Sequence, residues 1–277
     1  MDMTRIRPQR IRLFGEPVDL TTPAEVMSFT ARKVAAGQRA LIANHNTHSL
    51  CLMRQQPELR EFYARADLIE LDSIPMVYWG RLTGKPVTRQ HRCTYLDWRN
   101  DFWRLAARHG WRVYYLGGAP GVSELAAMNI RSRFPGAVIG GRNGYFDMEP
   151  MGPENLGILA EINAFKPDIV MVGMGMPRQE LWIAQNYDRL QSGVVFPVGA
   201  AFDYEAGVQM AAPRWLSKIG LEWAFRLATS PARLGHRYVI EPWTLLPAAI
   251  KDLAMAFAPR AKPRRTAPVA ESRKTLG

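Results

Sequence analysis

The sequence predicts an α/β fold, a mostly parallel sheet flanked by helices, with a helical appendage at the C-terminal end. Three observations lead there. Over the first two-thirds of the chain short apolar runs alternate with amphipathic segments, the pattern of strands joined by crossover helices. Glycine-bearing turns follow several of the apolar runs, and in open α/β sheets the ligand crevice lies at those carboxyl ends. Past Pro213 the character changes to a Trp- and Arg-rich stretch interrupted by Pro231, Pro242 and Pro247. Length and composition agree: 277 residues can bury a sizeable core, and 47% hydrophobic with 22% charged residues is a globular composition.

The elements follow in order. Residues 40–43 form an apolar run, 50–64 read as helix, and 67–71 as a short strand. Residues 97–109 place Trp98, Phe102 and Leu105 on one side at helical spacing. The clearest unit is an apolar strand over 111–116, a tight turn Gly117-Gly118-Ala119-Pro120-Gly121, and a helix over 122–134. A second unit has Pro167-Asp168 opening a strand over 169–172, a loop over 173–177 and a helix over 178–187. Residues 194–198 make a further strand, ending in Gly199-Ala200-Ala201-Phe202-Asp203. No internal repeat is evident. The resulting division is an α/β domain over 1–212, a basic amphipathic appendage over 213–258, and a Pro-, Arg- and Lys-rich tail over 259–277 expected to be disordered.

The charge is uneven. Lys and Arg number 36 against 25 Asp and Glu, a net +11, which by itself admits nucleic acid, an anionic membrane or phosphorylated substrates as partners. Residues 213–277 hold twelve Lys and Arg against four Asp and Glu, so +8 of the +11 belongs to the C-terminal end. Cys51 and Cys93 form neither a C-x-x-C pair nor a Cys/His cluster, which suits a reducing cytoplasm. The basic N-terminus is followed by no apolar stretch of signal-peptide length. Residues 245–258 contain Pro247, Lys251 and Asp252 and fall short of the roughly 18 to 20 apolar residues a bilayer span needs. The chain is expected to lie on a membrane and not to cross it.

Several motifs carry candidate chemistry, each with a plainer alternative. The turn at 117–121 resembles a phosphate-binding strand-turn-helix, although it is neither G-x-G-x-x-G nor a Walker A loop, and a glycine turn there can be purely structural. The run Gly173-Met174-Gly175-Met176-Pro177-Arg178-Gln179-Glu180 puts two glycines and a polar cluster at a strand end, where a nucleotide docks, or it is a surface loop with a charged helix start. Asp72, just past an apolar strand, can take a proton from a substrate hydroxyl or cap the next helix. The pairs Glu70-x-Asp72, Asp147-x-Glu149 and Asp203-x-Glu205 have carboxylate spacing, but such pairs are common by chance and no metal is expected. His45 and His48 could share a helical face and lack a third ligand. Trp215, Ile219, Trp223 and Leu227 form an apolar stripe beside Arg214, Lys218, Glu222 and Arg226, with Arg233 and Arg237 continuing the basic series. That is either a core-packing helix or an interfacial one with Trp at headgroup level and Arg on phosphates.

Taken together, the segments from about Ile11 to Trp243 resemble the bacterial WecG/TagA/CpsF glycosyltransferase family. The likeness rests on Ala66-Asp67-Leu68 followed by Asp72, on Arg92 with Asp97, and on Leu116-Gly117-Gly118-Ala119-Pro120-Gly121-Val122. It continues through Gly144-Tyr145-Phe146, Pro167-Asp168, the run 173–180, Phe202-Asp203 with Ala206-Gly207, Gly220-Leu221-Glu222-Trp223, Arg226-Leu227, Pro231 and Arg233. The resemblance implies a Rossmann-like core, an inverting, metal-independent transfer from a UDP-sugar to a polyprenyl-diphosphate-linked saccharide for the cell envelope, and no cofactor. It implies a peripheral enzyme on the inner face of the cell membrane whose appendage helps complete the active site. Asp72 falls on the catalytic base and Gln179 on an active-site glutamine. Asn44, Arg92, Tyr145, Gly175 and Asp203 fall on the donor pocket, and Arg226, Arg233 and Arg237 on or beside the arginines that meet the diphosphate and the membrane. Departures from the family pattern are Ile42, Ser73, Thr94-Tyr95, Ala211 and His236. They leave the donor sugar open among N-acetylmannosamine, glucose and a uronic acid. Self-association is open as well. A dinucleotide-dependent oxidoreductase is disfavoured by the lack of G-x-G-x-x-G with a following acidic residue. A nucleic-acid-binding protein is disfavoured because the basic residues interleave with tryptophans and no reading motif accompanies them.

Overall fold

A computed structural model describes residues 8–210, 212–213, 216, 221–229 and 231–258, without the side chains of Arg226, Thr229 and Arg233. The chain starts with a feature absent from the expected elements, an antiparallel hairpin of β1 (Gln9–Leu13) and β2 (Glu16–Leu20). Arg-Ile-Arg-Leu and Pro-Val-Asp-Leu alternate with period two, and Phe14 and Gly15 turn the chain with φ of 53° and 84°, as a two-residue hairpin turn requires. Phe14 is held in that conformation from both sides. Its ring stacks on Trp79 at 4.9 Å and its N–H donates to Asp252 Oδ2 at 2.6 Å.

Helix α1 (Pro23–Ala35) opens on a Thr22/Glu25 capping box with Pro23 in its first turn. Strand β3 (Ala40–His45) leads to α2 (Thr47–Gln55) and α3 (Leu59–Ala64). The single helix expected over 50–64 is thus two. Gln56 precedes Pro57, whose ring excludes helical backbone there, and Gln56 adopts φ −130°, ψ 88°. Then come β4 (Leu68–Leu71), α4 (Ile74–Leu82), α5 (Tyr95–His109), β5 (Arg112–Gly117), α6 (Val122–Arg133), β6 (Val138–Arg142) and α7 (Pro153–Phe165). The α/β part ends with β7 (Ile169–Gly173), α8 (Arg178–Asn186), β8 (Val194–Pro197) and α9 (Ala201–Ala206).

The six strands β3–β8 form one sheet in the order β4-β3-β8-β7-β5-β6, every pair parallel. Both faces are covered, so the strands are apolar throughout and do not alternate with polar residues. Val113, Tyr115, Met171 and Phe196 face Trp98, Phe102, Trp103 and Phe202 of α5 and α9. Tyr114, Leu116, Val170 and Val195 face Phe62, Ile158, Ile162 and Trp182 of α3, α7 and α8. A third cluster lies beyond the β4 edge. It joins Leu13 and Val18 of the hairpin to Leu50, Met76 and Val77, with Leu245 from the C-terminal stretch closing it.

That stretch is helical: α10 (Glu222–Thr229), α11 (Pro231–Val239), a 3-10 turn (Glu241–Leu245) and α12 (Leu246–Phe257). Trp215 and Ile219 of the expected stripe, and the tail over 259–277, lie outside the described residues. The C-terminal helices rest on the α/β part through named contacts. Asp252 of α12 is buried and also accepts from Trp79 Nε1 at 3.1 Å. His48 Nδ1 meets Glu241 Oε2 at 2.5 Å, and the Cys51 thiol donates to the Glu241 carbonyl at 3.3 Å. Among the described residues no helix is long and apolar enough to cross a membrane.

Chain direction fixes where a ligand fits. The crossover after β5 runs outward to β6, whereas the one after β7 runs toward β8, so the two connections leave in opposite directions beyond their first glycines. A crevice opens at such a reversal.

Candidate active site

A cleft of about 1050 Å³ occupies that end of the sheet, at the upper limit of small-molecule pockets and roomy enough for two substrates. Its floor comes from the ends of five strands and their loops: Asn44, Asp72, Gly118, Gly173 and Pro197 stand after or at the ends of β3, β4, β5, β7 and β8. Its outer wall comes from α11 and the 3-10 turn, through Leu234, His236, Arg237, Tyr238 and Glu241.

Glycines let the loops close on one another. A Cβ on Gly117 would strike the Gly173 carbonyl, and one on Gly173 would strike Tyr115 Oη and the Gly199 carbonyl. Gly118 N–H donates to the Gly173 carbonyl at 3.2 Å, and Gly144 N–H to the Gly118 carbonyl at 3.0 Å. Asn44 Nδ2 donates to the Pro197 carbonyl at 3.0 Å while the Tyr63 hydroxyl donates to the Asn44 carbonyl at 3.2 Å.

Asp72 follows β4 directly, its N–H donating to the His45 carbonyl at 2.8 Å. The cap of α4 is supplied by Ser73, whose Oγ accepts Met76 N–H. The serine that departs from the family pattern therefore has a local job, and the capping assigned to Asp72 as an alternative belongs to its neighbour. Gln179 is buried in the cleft wall. Its Oε1 accepts Gly199 N–H at 3.1 Å and its Nε2 donates to Glu180 Oε1 at 2.7 Å.

Of the residues singled out from sequence, Asn44, Asp72, Tyr145, Gly175, Gln179, Asp203 and Arg237 all line this cleft. Tyr145 is 76% exposed at its rim. Arg92 does not line it: the guanidinium pairs with Glu222 of α10 at 2.7 Å and with Asp97 at 3.7 Å. Asp97 is itself the capping-box carboxylate of α5 with Thr94. The side chains of Arg226 and Arg233, and all of Ala211, lie outside the described residues.

The acidic pairs separate into different roles. Glu70 and Asp72 both reach the cleft, but Glu70 Oε1 accepts the Cys93 thiol at 3.0 Å and Trp98 Nε1 at 3.2 Å. Burial pushes the Glu70 carboxyl up to about 8, so at neutral pH it is a neutral acid beside Asp72. Glu205 turns into the core, where it takes Tyr95 Oη at 2.8 Å together with Arg99 and Arg133, while Asp203 faces the cleft. Tyr95, another departure from the family pattern, is thus part of a buried network that also receives Trp103 Nε1 at 2.9 Å. Asp147 accepts Glu149 N–H at 3.0 Å. Among the described residues no three His, Cys, Asp or Glu are grouped to hold a metal ion. The two histidines do not share a helical face: His45 ends β3 and His48 sits in the first turn of α2. His45 is fully buried, stacks on Tyr63 at 3.9 Å, and is held neutral by desolvation that lowers it to about 3.

Arg178, within the 173–180 run, reaches the Phe146 carbonyl at 2.5 Å. Glu241 was not legible as a cleft residue; it meets His48 and His236 where α2 faces the 3-10 turn. The His48–Glu241 contact joins residues 193 positions apart, so only the fold could pair them.

A family model described as the glycosyl transferase WecG/TagA/CpsF family matches residues 11–257. The chain is 27% identical over 242 residues to proteins from Staphylococcus aureus strains MRSA252 and NCTC 8325 / PS 47. Each is named N-acetylglucosaminyldiphosphoundecaprenol N-acetyl-beta-D-mannosaminyltransferase, and each match covers 84% of this chain and 89% of the relative.

Proposed function

We propose a donor, an acceptor and a mechanism for this chain, which belongs to the glycosyl transferase WecG/TagA/CpsF family and is a glycosyltransferase. It moves one sugar from a UDP-sugar to a saccharide carried on polyprenyl diphosphate, with inversion and without a metal. The observation that carries this reading is the convergence of Asn44 of β3, Asp72 after β4, Gln179 of α8 and Asp203 of α9 on one cleft whose outer wall holds Arg237.

Asp72 accepts the proton of the acceptor hydroxyl as that oxygen attacks the anomeric carbon. The new C–O bond forms as the bond to UDP breaks, and UDP leaves with the electron pair. Arg237, with Arg226 and Arg233 from the same C-terminal helices, neutralises the diphosphate charge, and backbone N–H groups of the glycine loops add to this. Asn44, Tyr145, Gly175 and Asp203 hold the donor, and Gln179 acts with Asp72 as the second catalytic residue.

The substrate is a lipid, and the outer wall of the cleft belongs to the segment over 213–258 that rests on the membrane. Ile240, Trp243, Leu246 and Ile250 are exposed there, Trp243 by 71%, beside the basic residues of the same segment. A tryptophan at headgroup level with arginines on phosphates is the chemistry of an interfacial segment. The membrane face is the inner one, where nucleotide sugars are made.

The test is thermal stabilisation by a panel of UDP-N-acetylmannosamine, UDP-glucose and UDP-glucuronic acid, with NAD(H) as control. A ligand that binds only the folded state raises the melting temperature by mass action. Stabilisation by one UDP-sugar and by UDP supports the reading and names the donor. Stabilisation by NAD(H) alone would replace it with an oxidoreductase.

A further inference from the structure

The Gln179 amide is held at both ends. Its oxygen takes Gly199 N–H at 3.1 Å and one hydrogen of its NH₂ goes to Glu180 Oε1 at 2.7 Å, which leaves the second hydrogen for the cleft that Gln179 lines. The two ends of a primary amide have nearly the same shape, so only its partners decide which end faces where.

Glu180 shares that decision with the Gly199 N–H, and does so from an expensive position. It is 1% exposed, and its other oxygen, Oε2, is buried without a hydrogen-bond partner among the described residues. Burial pushes its carboxyl up to about 7, and its charge helps push the buried Tyr63 phenol up. An apolar side chain of the same size would avoid the desolvation cost, so packing alone gives no reason for a carboxyl here.

We propose that Glu180 is a positioning residue for glycosyl transfer: it holds the Gln179 amide in the one orientation that turns the free N–H into the cleft, toward an oxygen of the bound donor. The inference rests on Gln179 being an active-site residue, as read above. The contact uses acceptor geometry and not charge, so an amide at position 180 can replace the carboxyl by turning its own oxygen to Gln179. An aspartate cannot, being one methylene short.

The experiment measures kcat and donor KM, with N-acetylglucosaminyl-diphosphoundecaprenol as acceptor and the UDP-sugar that stabilises the wild type most. The variants are Gln179→Ala, Glu180→Gln, Glu180→Met and Glu180→Asp. Glu180→Met and Glu180→Asp are expected to lower kcat by about 10- to 100-fold, a share of the loss from removing one transition-state donor, with donor KM changed by less than about threefold. Glu180→Gln is expected to keep most of the activity. The double variant Gln179→Ala with Glu180→Met is expected to be no worse than Gln179→Ala alone, since both remove one device. Full activity of Glu180→Met beside an impaired Gln179→Ala overturns the inference and leaves the role of Gln179 standing. An active Glu180→Asp beside an inactive Glu180→Gln makes charge the requirement and also overturns it, and this pair decides the matter if Glu180→Met does not fold. Full activity of Gln179→Ala removes the underlying reading.

Discussion

Gly117 and Gly173 meet backbone to backbone at the ends of β5 and β7, so close that a Cβ on Gly117 would collide with the Gly173 carbonyl. The same carbonyl takes Gly118 N–H at 3.2 Å. This contact brings the two glycine loops together on the floor of the cleft. Gly117→Ala adds a methyl against backbone that has no rotamer to escape with, at a φ of 158° that side chains rarely adopt. The expected cost is about 2 kcal/mol or more, with UDP affinity lowered alongside the melting temperature. A variant with wild-type melting and UDP binding would show that the loops part without consequence.

Glu70 gives a pH dependence whose sign is fixed. Its carboxyl is pushed up from 4.5 to about 8 by burial. Between those values the folded protein holds a proton that the unfolded chain has released, so stability falls as pH rises through the window, by about 1.4 kcal/mol per pH unit for one proton. Glu180, pushed up to about 7, acts in the same direction. Glu70→Gln keeps an acceptor for Cys93 and Trp98 and removes one of these two protons. Melting curves from pH 5 to 8 are expected to fall less steeply for the variant. Parallel curves would mean that Glu70 is ionised throughout.

Arg92 joins the α/β part to α10 through Glu222 at 2.7 Å. Arg92→Ala and Glu222→Ala are each expected to lose roughly 1–3 kcal/mol, since each removes a mostly buried, charge-assisted hydrogen bond. In a double-mutant cycle the losses are expected to be strongly non-additive. Additive losses would show that the two residues act separately.

The C-terminal surface carries a membrane prediction. Replacing Trp243 and Ile250 by Ser removes two exposed apolar groups and leaves the buried Leu245 and Asp252 anchors in place. Sedimentation with anionic liposomes is expected to drop several-fold while the melting temperature is retained. Unchanged sedimentation would move membrane contact to other residues.

Much of this site could be read before the fold was known because its residues sit directly after strands. Asp72 follows β4, the 173–180 run follows β7, and Asp203 follows β8, so apolar runs ending in glycine or aspartate mark the cleft floor. Other elements left weaker traces. The β1–β2 hairpin has period-two alternation in short, arginine-bearing segments, and β6 is Val-Ile-Gly-Gly-Arg, in which Gly140 makes room for Phe165 and Gly141 for Ser123. Glycines chosen for close packing hide a strand from a reading based on apolar runs. Arg92 shows the converse limit: a motif position marks that a residue matters without saying whether it faces the ligand or ties Glu222 to Asp97. The outer wall, where His48 meets Glu241, exists only through contacts between distant segments.

The central claim is that Asp72 deprotonates the acceptor, and it is tested most directly by turnover of Asp72→Asn under saturating donor and acceptor. The amide has the size of the carboxylate, and the Ser73 cap of α4 stays in place. The account predicts unchanged melting and UDP affinity with kcat lowered by roughly 10²- to 10⁴-fold, the usual size of general-base catalysis. Turnover within a few-fold of wild type would contradict it.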